Sequence, residues 1–433
     1  MKLVFQSNIF WAFFGRIISS LSIFLLISFA AKNLSINEFA SFSFIMSIIP
    51  SASIFLAFGQ HLSSSKFNLE MKNFSNHIKN VSHTYIISLL IFLLIILSLF
   101  IFFYEENRDN SLLLFWVSLS IILTSFQRII SDISRSLKKF NLFVLFNGIK
   151  SNGGIVFWLF FFIILLISGN EATINLDFIF STIALSSIIS MFIFFCFKTF
   201  KIPNINNFFT LSENFGSFLK SSIIIMLTSL LIMIRTDHDI WILHFFGTAE
   251  DLSIYTPIIR LAYLTMIPIS IFDTIIPNKM ARLYQKGQIN NLENYVRGIS
   301  TKRLLTSSII ILILFFFGEI MLSTFFGEFY AQGSNILKIL CLSFLSLCLL
   351  GPNGMILLMI KHEKTHLKIN LFYLILSFIL GTILTIKFGY WGMAINIVCI
   401  TNLIHLTFYF RVKKLLKINT LPNIYFKKNI HND

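Results

Sequence analysis

The chain has 433 residues, of which 56% are hydrophobic and only 12% are charged. Soluble domains carry about 25% charged residues, and the mean hydropathy of this chain is +0.82. This composition excludes soluble, disordered, collagen-like and disulfide-stapled proteins and leaves a polytopic membrane protein. The apolar runs are continuous and do not alternate with polar residues, so we expect helical spans rather than barrel strands.

Twelve apolar segments are long enough to cross a membrane, since about 20 helical residues cover roughly 30 Å of hydrocarbon. The first segment is too long for the core of a signal peptide, and we expect it to be a retained span. The break between the last two, near Gly389, is the least marked. The predicted spans are 8–30, 40–60, 82–103, 112–133, 142–168, 174–197, 218–244, 253–277, 304–325, 336–360, 367–386 and 390–410.

Basic residues are distributed unevenly between the connections of these spans. The side that holds both termini carries 26 of the 34 Lys and Arg residues, and the opposite side carries four. Because basic residues stay in cytoplasmic loops, both termini are predicted to be cytoplasmic. The net charge of +15 is then explained by the basic cytoplasmic connections, and it indicates no nucleic-acid partner. The four cysteines lie in apolar stretches without a CxxC pair, which predicts packing residues rather than disulfides or metal ligands.

The span count suggests two sets of six helices, as in transporters built from repeats. No soluble domain is predicted, because the longest connections, near 198–217 and 278–303, are short and cytoplasmic. The basic tail is expected either to lie on anionic lipid head groups or to act as a plain topological anchor. The predicted domains are a first bundle over 1–200, a cytoplasmic linker over 201–217, a second bundle over 218–410 and the tail over 411–433.

A weak internal repeat supports the two sets of six. Segments 34–41 and 246–253 carry Glu and Ser at matching positions, with a constant offset of 212 residues. Local turn chemistry is the alternative explanation, because both segments resemble helix-capping boxes. The capping pairs are Ser35 with Glu38 and Thr248 with Asp251.

Two basic residues lie deep inside predicted spans of the first half. Arg16 and Lys150 are each about eight residues, or ~12 Å, from the cytoplasmic end of their span, which is too deep for an easy snorkel to the interface. Lys150 lies in a polar, glycine-rich patch with Asn147 and Asn152. We expect these four residues to line a water-filled cavity that binds an anion such as a phosphate. A structural pairing with a carboxylate or with carbonyl groups is the alternative.

The second half carries five charged residues inside its spans. Arg235 and Asp239 are four residues apart and share a helix face, which favours a local ion pair. Asp237 lies about 200° around the helix from both, so it needs another partner. We interpret Arg235, Asp237, Asp239, Arg260 and Asp273 as candidates for a gate or for ion coupling, with Asp237 or Asp239 as the carrier. A structural salt-bridge network is the alternative, and Asp273 is close enough to the cytoplasmic end of its span to reach the interface.

Proline and glycine interrupt two spans of the second half. Pro257, Pro268 and Pro277 lie in the eighth span, where each removes a backbone hydrogen bond and allows a kink. Gly351 and Pro352 break the tenth span and are the better candidate hinge.

One enzymatic motif occurs in the sequence. His362, Glu363 and His366 match the zinc-protease pattern HExxH. The match falls in a basic cytoplasmic turn and no convincing third ligand is visible, so we interpret it as a chance occurrence and predict neither a metal site nor an enzyme.

The chain as a whole resembles the polysaccharide (Wzx-type) flippases of the multidrug/oligosaccharidyl-lipid/polysaccharide exporter superfamily. The order and spacing of many short segments carry this resemblance, which covers nearly the full length. A glycine is usual before the Ile-Tyr pair at 254–255, and its absence here predicts a looser turn. The matching segments are Gly15-Arg16, 34–41, 127–135, 235–243, Phe246-Gly247, 254–255, 258–262, 276–284, Phe326-Gly327, Gly351-Pro352 and 389–394.

The resemblance implies two six-helix bundles around a central cavity, no catalytic activity and a location in the bacterial inner membrane. Its implied substrate is an undecaprenyl-diphosphate-linked oligosaccharide, an O-antigen or capsule repeat unit, that moves from the cytoplasmic to the periplasmic leaflet. A diphosphate requires cations inside a membrane-embedded cavity, and Arg16 and Lys150 supply them. No cofactor is expected apart from a coupling ion, H⁺ or Na⁺. Membrane lipids and other polysaccharide-assembly membrane proteins are the expected partners.

Two alternatives remain. A multidrug extruder of the same superfamily would prefer buried carboxylates and aromatic side chains for organic cations, whereas the spans here hold four basic and three acidic residues. An O-antigen polymerase or ligase would, by resemblance, carry a large periplasmic loop, and the predicted periplasmic connections are short.

Overall fold

The computed structural model describes residues 2–60, 74–106, 108–136, 139–146, 154–168, 174–196 and 215–423. Within these ranges the chain is helical and contains no strand. It divides into two compact units, 1–237 and 238–433, and the division falls inside one helix. The helices of the first half are α1 (Lys2–Asn33), α2 (Ile36–Leu56), α3 (Phe74–Glu106), α4 (Arg108–Ser136), α5 (Phe140–Phe146), α6 (Ile155–Ser168) and α7 (Leu176–Cys196).

The helix that contains the division is α8, Phe215–Phe246. A 3₁₀ helix, Glu328–Gly333, also lies in the second unit. The remaining helices are α9 (Ala249–Tyr263), α10 (Met266–Gln285), α11 (Ile289–Phe326), α12 (Ser334–Leu350), α13 (Asn353–Met359) and α14 (Glu363–Leu416).

The predicted class, an all-helical polytopic membrane protein, is confirmed. Eight of the described helical segments are long and apolar enough to cross a membrane. One of them, α14, has 54 residues and is bent at Gly389, whose φ of +54° and ψ of −136° are not helical. The predicted break between the last two spans is therefore present. The count of twelve spans and the division into two six-helix bundles remain predictions.

The eighth predicted span is interrupted at Pro268. Helix α9 ends at Tyr263 and α10 begins at Met266. Pro268 has no N–H to donate to the carbonyl group of Leu264, and its ring crowds that group. The chain accommodates this with a tighter turn, in which the N–H of Ile267 bonds to the Leu264 carbonyl at 3.1 Å.

The predicted loop over 278–303 is wrong, because this stretch is almost entirely helical. Helix α10 continues to Gln285 and α11 begins at Ile289, so only a short turn separates them. The apolar residues of this helical hairpin are spaced by three or four positions and pack into a core with residues of α13 and α14. The fully buried members of this core include Ile276, Met280, Leu292, Val296, Ile356, Leu357 and Val412.

The start of the predicted basic tail docks against the second unit. After α14 ends at Leu416, residues 417–423 form a short strap in which the Thr420 side chain is fully buried. The hydroxyl of Ser300 donates to the Thr420 carbonyl at 2.8 Å, and the Thr420 hydroxyl donates to the Leu350 carbonyl at 2.8 Å. This part of the tail is thus held by protein contacts, which neither tail interpretation anticipated.

Both predicted capping boxes are present. The Ser35 hydroxyl caps α2 together with Glu38, and the Thr248 hydroxyl caps α9 together with Asp251. The two caps are separated by 213 residues, one more than the offset of 212 that the sequence letters suggested. The expected looser turn at Asp251 is wrong, because this carboxylate closes the cap and also accepts a hydrogen bond from the Tyr390 N–H at 2.9 Å.

Candidate functional site

The end of α8 brings three ionisable side chains into the protein interior. Asp237 is fully buried, Asp239 is 2% exposed and His238 is 4% exposed, whereas Arg235 is exposed. Burying ionisable groups at membrane depth is expensive, so their presence marks a candidate functional site. The predicted pairing of Arg235 with Asp239 stays a prediction.

The Asp239 carboxylate accepts two hydrogen bonds within the second unit. The Tyr255 hydroxyl donates to Oδ2 at 2.9 Å, and the backbone N–H of Ile240 donates to Oδ1 at 2.9 Å. Arg260 lies within electrostatic range of the Tyr255 hydroxyl, one to two turns further along α9. The second unit therefore brings the predicted residues Asp239 and Arg260 to the same region, with Tyr255 between them in the chain.

His238 joins a second polar group that links α8 to both arms of the bent helix α14. Its Nε2 atom lies 2.7 Å from the Ser377 hydroxyl. The side-chain amide of Asn396 donates to the Ser377 hydroxyl at 2.9 Å and to its carbonyl at 3.1 Å. Gly381 allows this approach, because a Cβ atom there would lie 2.8 Å from the Asn396 amide nitrogen. The arrangement places a titratable imidazole against a hydroxyl and a carboxamide inside the unit.

Asp273 is not simply an interfacial charge. The guanidinium Nη2 of Arg303 lies 3.4 Å from its Oδ1. The Arg303 side chain is 4% exposed and that of Asp273 is 36% exposed, so the pair joins a buried cation to a partly open carboxylate. The predicted cytoplasmic connection over 278–303 includes Arg303, and the extended start of α11 places this residue inside the unit instead.

The side chains of the predicted diphosphate-binding residues lie outside the described part of the protein. Arg16 belongs to α1, but its side chain is outside the described part of the protein. Asn147, Lys150 and Asn152 fall in the segment 147–153, which also lies outside the described residues. Their cavity-lining role stays a prediction.

The HExxH match has a structural explanation in the described residues. His362 precedes the first turn of α14, and His366 stacks on Phe408 with ring centroids 5.1 Å apart and an interplanar angle of 6°. The Asn370 amide also lies 3.2 Å from the His366 ring. Within the described chain no group of three or more His, Cys, Asp or Glu side chains is placed to hold a metal ion.

Several members of the candidate site were missed by the sequence reasoning. Ser377 and Asn396 are uncharged, and a search for charges inside spans passes over them. The sequence feature that could have predicted them is the presence of a polar residue within each of the eleventh and twelfth apolar segments. Tyr255 is not predicted, because an aromatic residue in a span is ordinarily a packing residue. His238 is not predicted either, because a neutral histidine does not count among the charged residues of a span.

Solved structures of membrane transporters have the same fold. A lipid II flippase, MurJ, in an inward closed conformation matches with a TM-score of 0.70 and 18% identity, over 94% of this chain and 87% of that one. A multidrug resistance MATE transporter in an inward-facing conformation matches with a TM-score of 0.67 and 13% identity, over 94% and 98%.

A further match is a MOP-superfamily transporter from Pyrococcus furiosus, with a TM-score of 0.63, 12% identity and coverage of 96% and 95%. At these identities the likeness shows the fold, that of the MOP exporters. The matched structures are of membrane transporters and a flippase, and their fold agrees with the predicted multi-pass membrane protein. No curated protein matches the chain. The family match over residues 5–278 covers more than half of the sequence, and the protein belongs to the family of polysaccharide biosynthesis proteins.

Proposed function

We propose that this protein is a flippase that moves an undecaprenyl-diphosphate-linked oligosaccharide from the cytoplasmic to the periplasmic leaflet of the bacterial inner membrane. The observation that carries the proposal is its membership of the polysaccharide biosynthesis family. The fold supports it, because a structure described as a lipid II flippase shares that fold. The repeat unit belongs to an O-antigen or a capsule, and other membrane proteins of polysaccharide assembly are its partners.

Recognition depends on cations that face the diphosphate in a cavity of low dielectric. Arg16 and Lys150 take this role, because a guanidinium and an ammonium group bind phosphate oxygens strongly where water is scarce. Asn147 and Asn152 add neutral hydrogen-bonding groups beside Lys150. Two cations would balance the two negative charges of a diphosphate that is esterified at both ends.

Charge reversal tests this role. Arg16→Glu and Lys150→Glu should each abolish surface-polysaccharide export, measured by immunoblotting of the polysaccharide at equal protein level. Lys32→Glu is the matched control, because Lys32 lies exposed at the other end of α1 and its reversal should leave export intact. Normal export in both test variants would overturn diphosphate recognition by these residues.

A strain that lacks the gene distinguishes the flippase from a multidrug extruder. If the protein is a drug extruder, the deletion should change the minimum inhibitory concentrations of cationic drugs and leave the surface polysaccharide unaltered. A flippase gives the opposite pattern, loss of the polysaccharide without a change in drug susceptibility.

We also propose that transport is coupled to H⁺ or Na⁺ through the carboxylates Asp237 and Asp239, with Arg235, Arg260 and Asp273 acting as gate contacts. The burial of both carboxylates supports this role, because a bound cation offsets the cost of charge inside a membrane. In proteoliposomes, imposed proton and sodium gradients should each be tested for stimulation of flipping. Asp237→Asn and Asp239→Asn should abolish the stimulated component, and unchanged stimulation in both would exclude these carriers.

A further inference from the structure

Arg128 presents an unused hydrogen-bonding edge inside the first unit. Its Nε and Nη2 atoms are both shielded from solvent, and neither has a hydrogen-bond partner among the residues that the structure describes. These two nitrogens form one side of the guanidinium plane, and their N–H bonds run parallel. That edge matches two oxygens of one phosphate, sulfate or carboxylate group.

The helix directs this edge into the bundle and away from lipid. On the same face of α4 as Arg128, the residues Thr124 and Asp132 are 0% and 1% exposed. On the opposite face Leu112 and Phe115 are each 50% exposed, as expected for a lipid-facing surface. The Arg128 side chain as a whole is nevertheless partly exposed.

A second polar atom lies one turn away without a partner. The Thr124 hydroxyl, four residues before Arg128, is buried and makes no hydrogen bond within the described part of the chain. Residues at this spacing are neighbours on a helix surface. A hydroxyl and a guanidinium edge can both donate to the same oxyanion. Unlike the carboxylate or the imidazole of the second unit, an arginine cannot shed its charge to relieve burial.

We infer that Arg128, assisted by Thr124, forms an oxyanion-binding site within the first unit. The ligand chemistry is a tetrahedral oxyanion that offers two oxygens to the Nε–Nη2 edge. It comes either from a free inorganic anion or from the phosphate group of a prenyl-lipid carrier. Asp132, one turn beyond, forms no ion pair with Arg128 in the described structure and has contacts of its own. The inorganic source is independent of the proposed function, whereas the lipid source rests on it.

Ligand-dependent thermal stability of the purified full-length protein tests the site. The probes are sodium pyrophosphate, sodium chloride at matched ionic strength, farnesyl diphosphate and farnesol. The wild type should be stabilised by pyrophosphate, by farnesyl diphosphate or by both, relative to chloride and farnesol. Arg128→Gln should weaken that binding by at least about tenfold, because two charge-assisted hydrogen bonds are lost. Arg282→Gln, an exposed arginine of α10, is the matched control and should bind as the wild type does.

Two further variants keep the test decisive if Arg128→Gln folds poorly. Arg128→Lys retains the positive charge but has no parallel N–H edge, so it should lose the preference for pyrophosphate over chloride. Asp132→Asn removes a nearby negative charge and should leave oxyanion binding unchanged or tighter.

The two ligand sources give different results. Stabilisation that depends on Arg128 and is as strong with pyrophosphate as with farnesyl diphosphate identifies a free oxyanion, and stronger stabilisation by farnesyl diphosphate than by pyrophosphate identifies the lipid carrier. Equal responses of the wild type and both Arg128 variants would overturn the site. Equal destabilisation by Arg128→Gln and Asp132→Asn, with no response to any probe, would also overturn it, because Arg128 would then serve only as a partner of Asp132. None of these results depends on whether export itself succeeds.

Discussion

The Asp251 carboxylate joins two connections that are distant in sequence, because it caps α9 with one oxygen and receives the Tyr390 N–H with the other. Tyr390 follows Gly389, where the backbone has a positive φ and the bent helix α14 changes direction. A side chain at Gly389 would collide with the Asp251 carboxylate. One acidic residue therefore fixes the start of α9 and the bend of α14 together.

Replacing Asp251 should loosen both connections. Asp251→Ala should lower the free energy of unfolding by about 1–2 kcal/mol, the range for loss of a helix cap together with one further hydrogen bond. Asp251→Asn keeps an oxygen acceptor for the cap and should cost less. Thermal denaturation in detergent measures both variants, and an equal loss in the two would show that charge rather than hydrogen bonding matters here.

Tyr255→Phe should lower the stability of the protein, because it removes the hydroxyl that donates to the Asp239 carboxylate. A buried carboxylate that loses a donor incurs a desolvation cost of about 1–3 kcal/mol. The double variant Tyr255→Phe with Asp239→Asn should be less destabilised than the sum of the two single variants, because the charge that needed the hydroxyl is gone. Additive thermal shifts would contradict a direct interaction between the two side chains.

The Arg303–Asp273 pair should show the asymmetry of a buried ion pair. Asp273→Asn leaves a buried guanidinium without its counter-charge and should cost about 1–3 kcal/mol. This is below the roughly 3–5 kcal/mol of fully buried pairs, because Asp273 is partly exposed. The double variant Arg303→Met with Asp273→Asn should recover part of the loss in chemical denaturation. A double variant that is less stable than either single one would argue against this account.

Two truncations should separate the docked strap from the remainder of the tail. A stop after Leu416 removes the strap and its hydrogen bonds to α11 and α12, and we expect a loss of about 2–4 kcal/mol, given about 1 kcal/mol per hydrogen bond. A stop after Asn423 keeps the strap and should have little effect on stability. Limited proteolysis and thermal denaturation read out both, and equal effects would indicate that the basic charge of the tail matters more than the docking.

The sequence by itself determined the class of protein, because bilayer thickness imposes a length and an apolar composition on every span. It also predicted the two helix caps and the breaks at Gly351 and Gly389, since these depend on residues adjacent in the chain. The charge asymmetry predicted an orientation, and the motif order predicted the family that residues 5–278 confirm.

Only the tertiary structure decided which polar side chains meet. Ser377 contacts His238, and Asn396, 19 residues further along the chain, contacts Ser377 because α14 bends back on itself. Arg303 lies in the interior and not in a loop, because the start of α11 is amphipathic and packs on a core formed with α10, α13 and α14. Periodicity shows that a helix has a buried face, whereas the partner of that face depends on packing between elements distant in sequence.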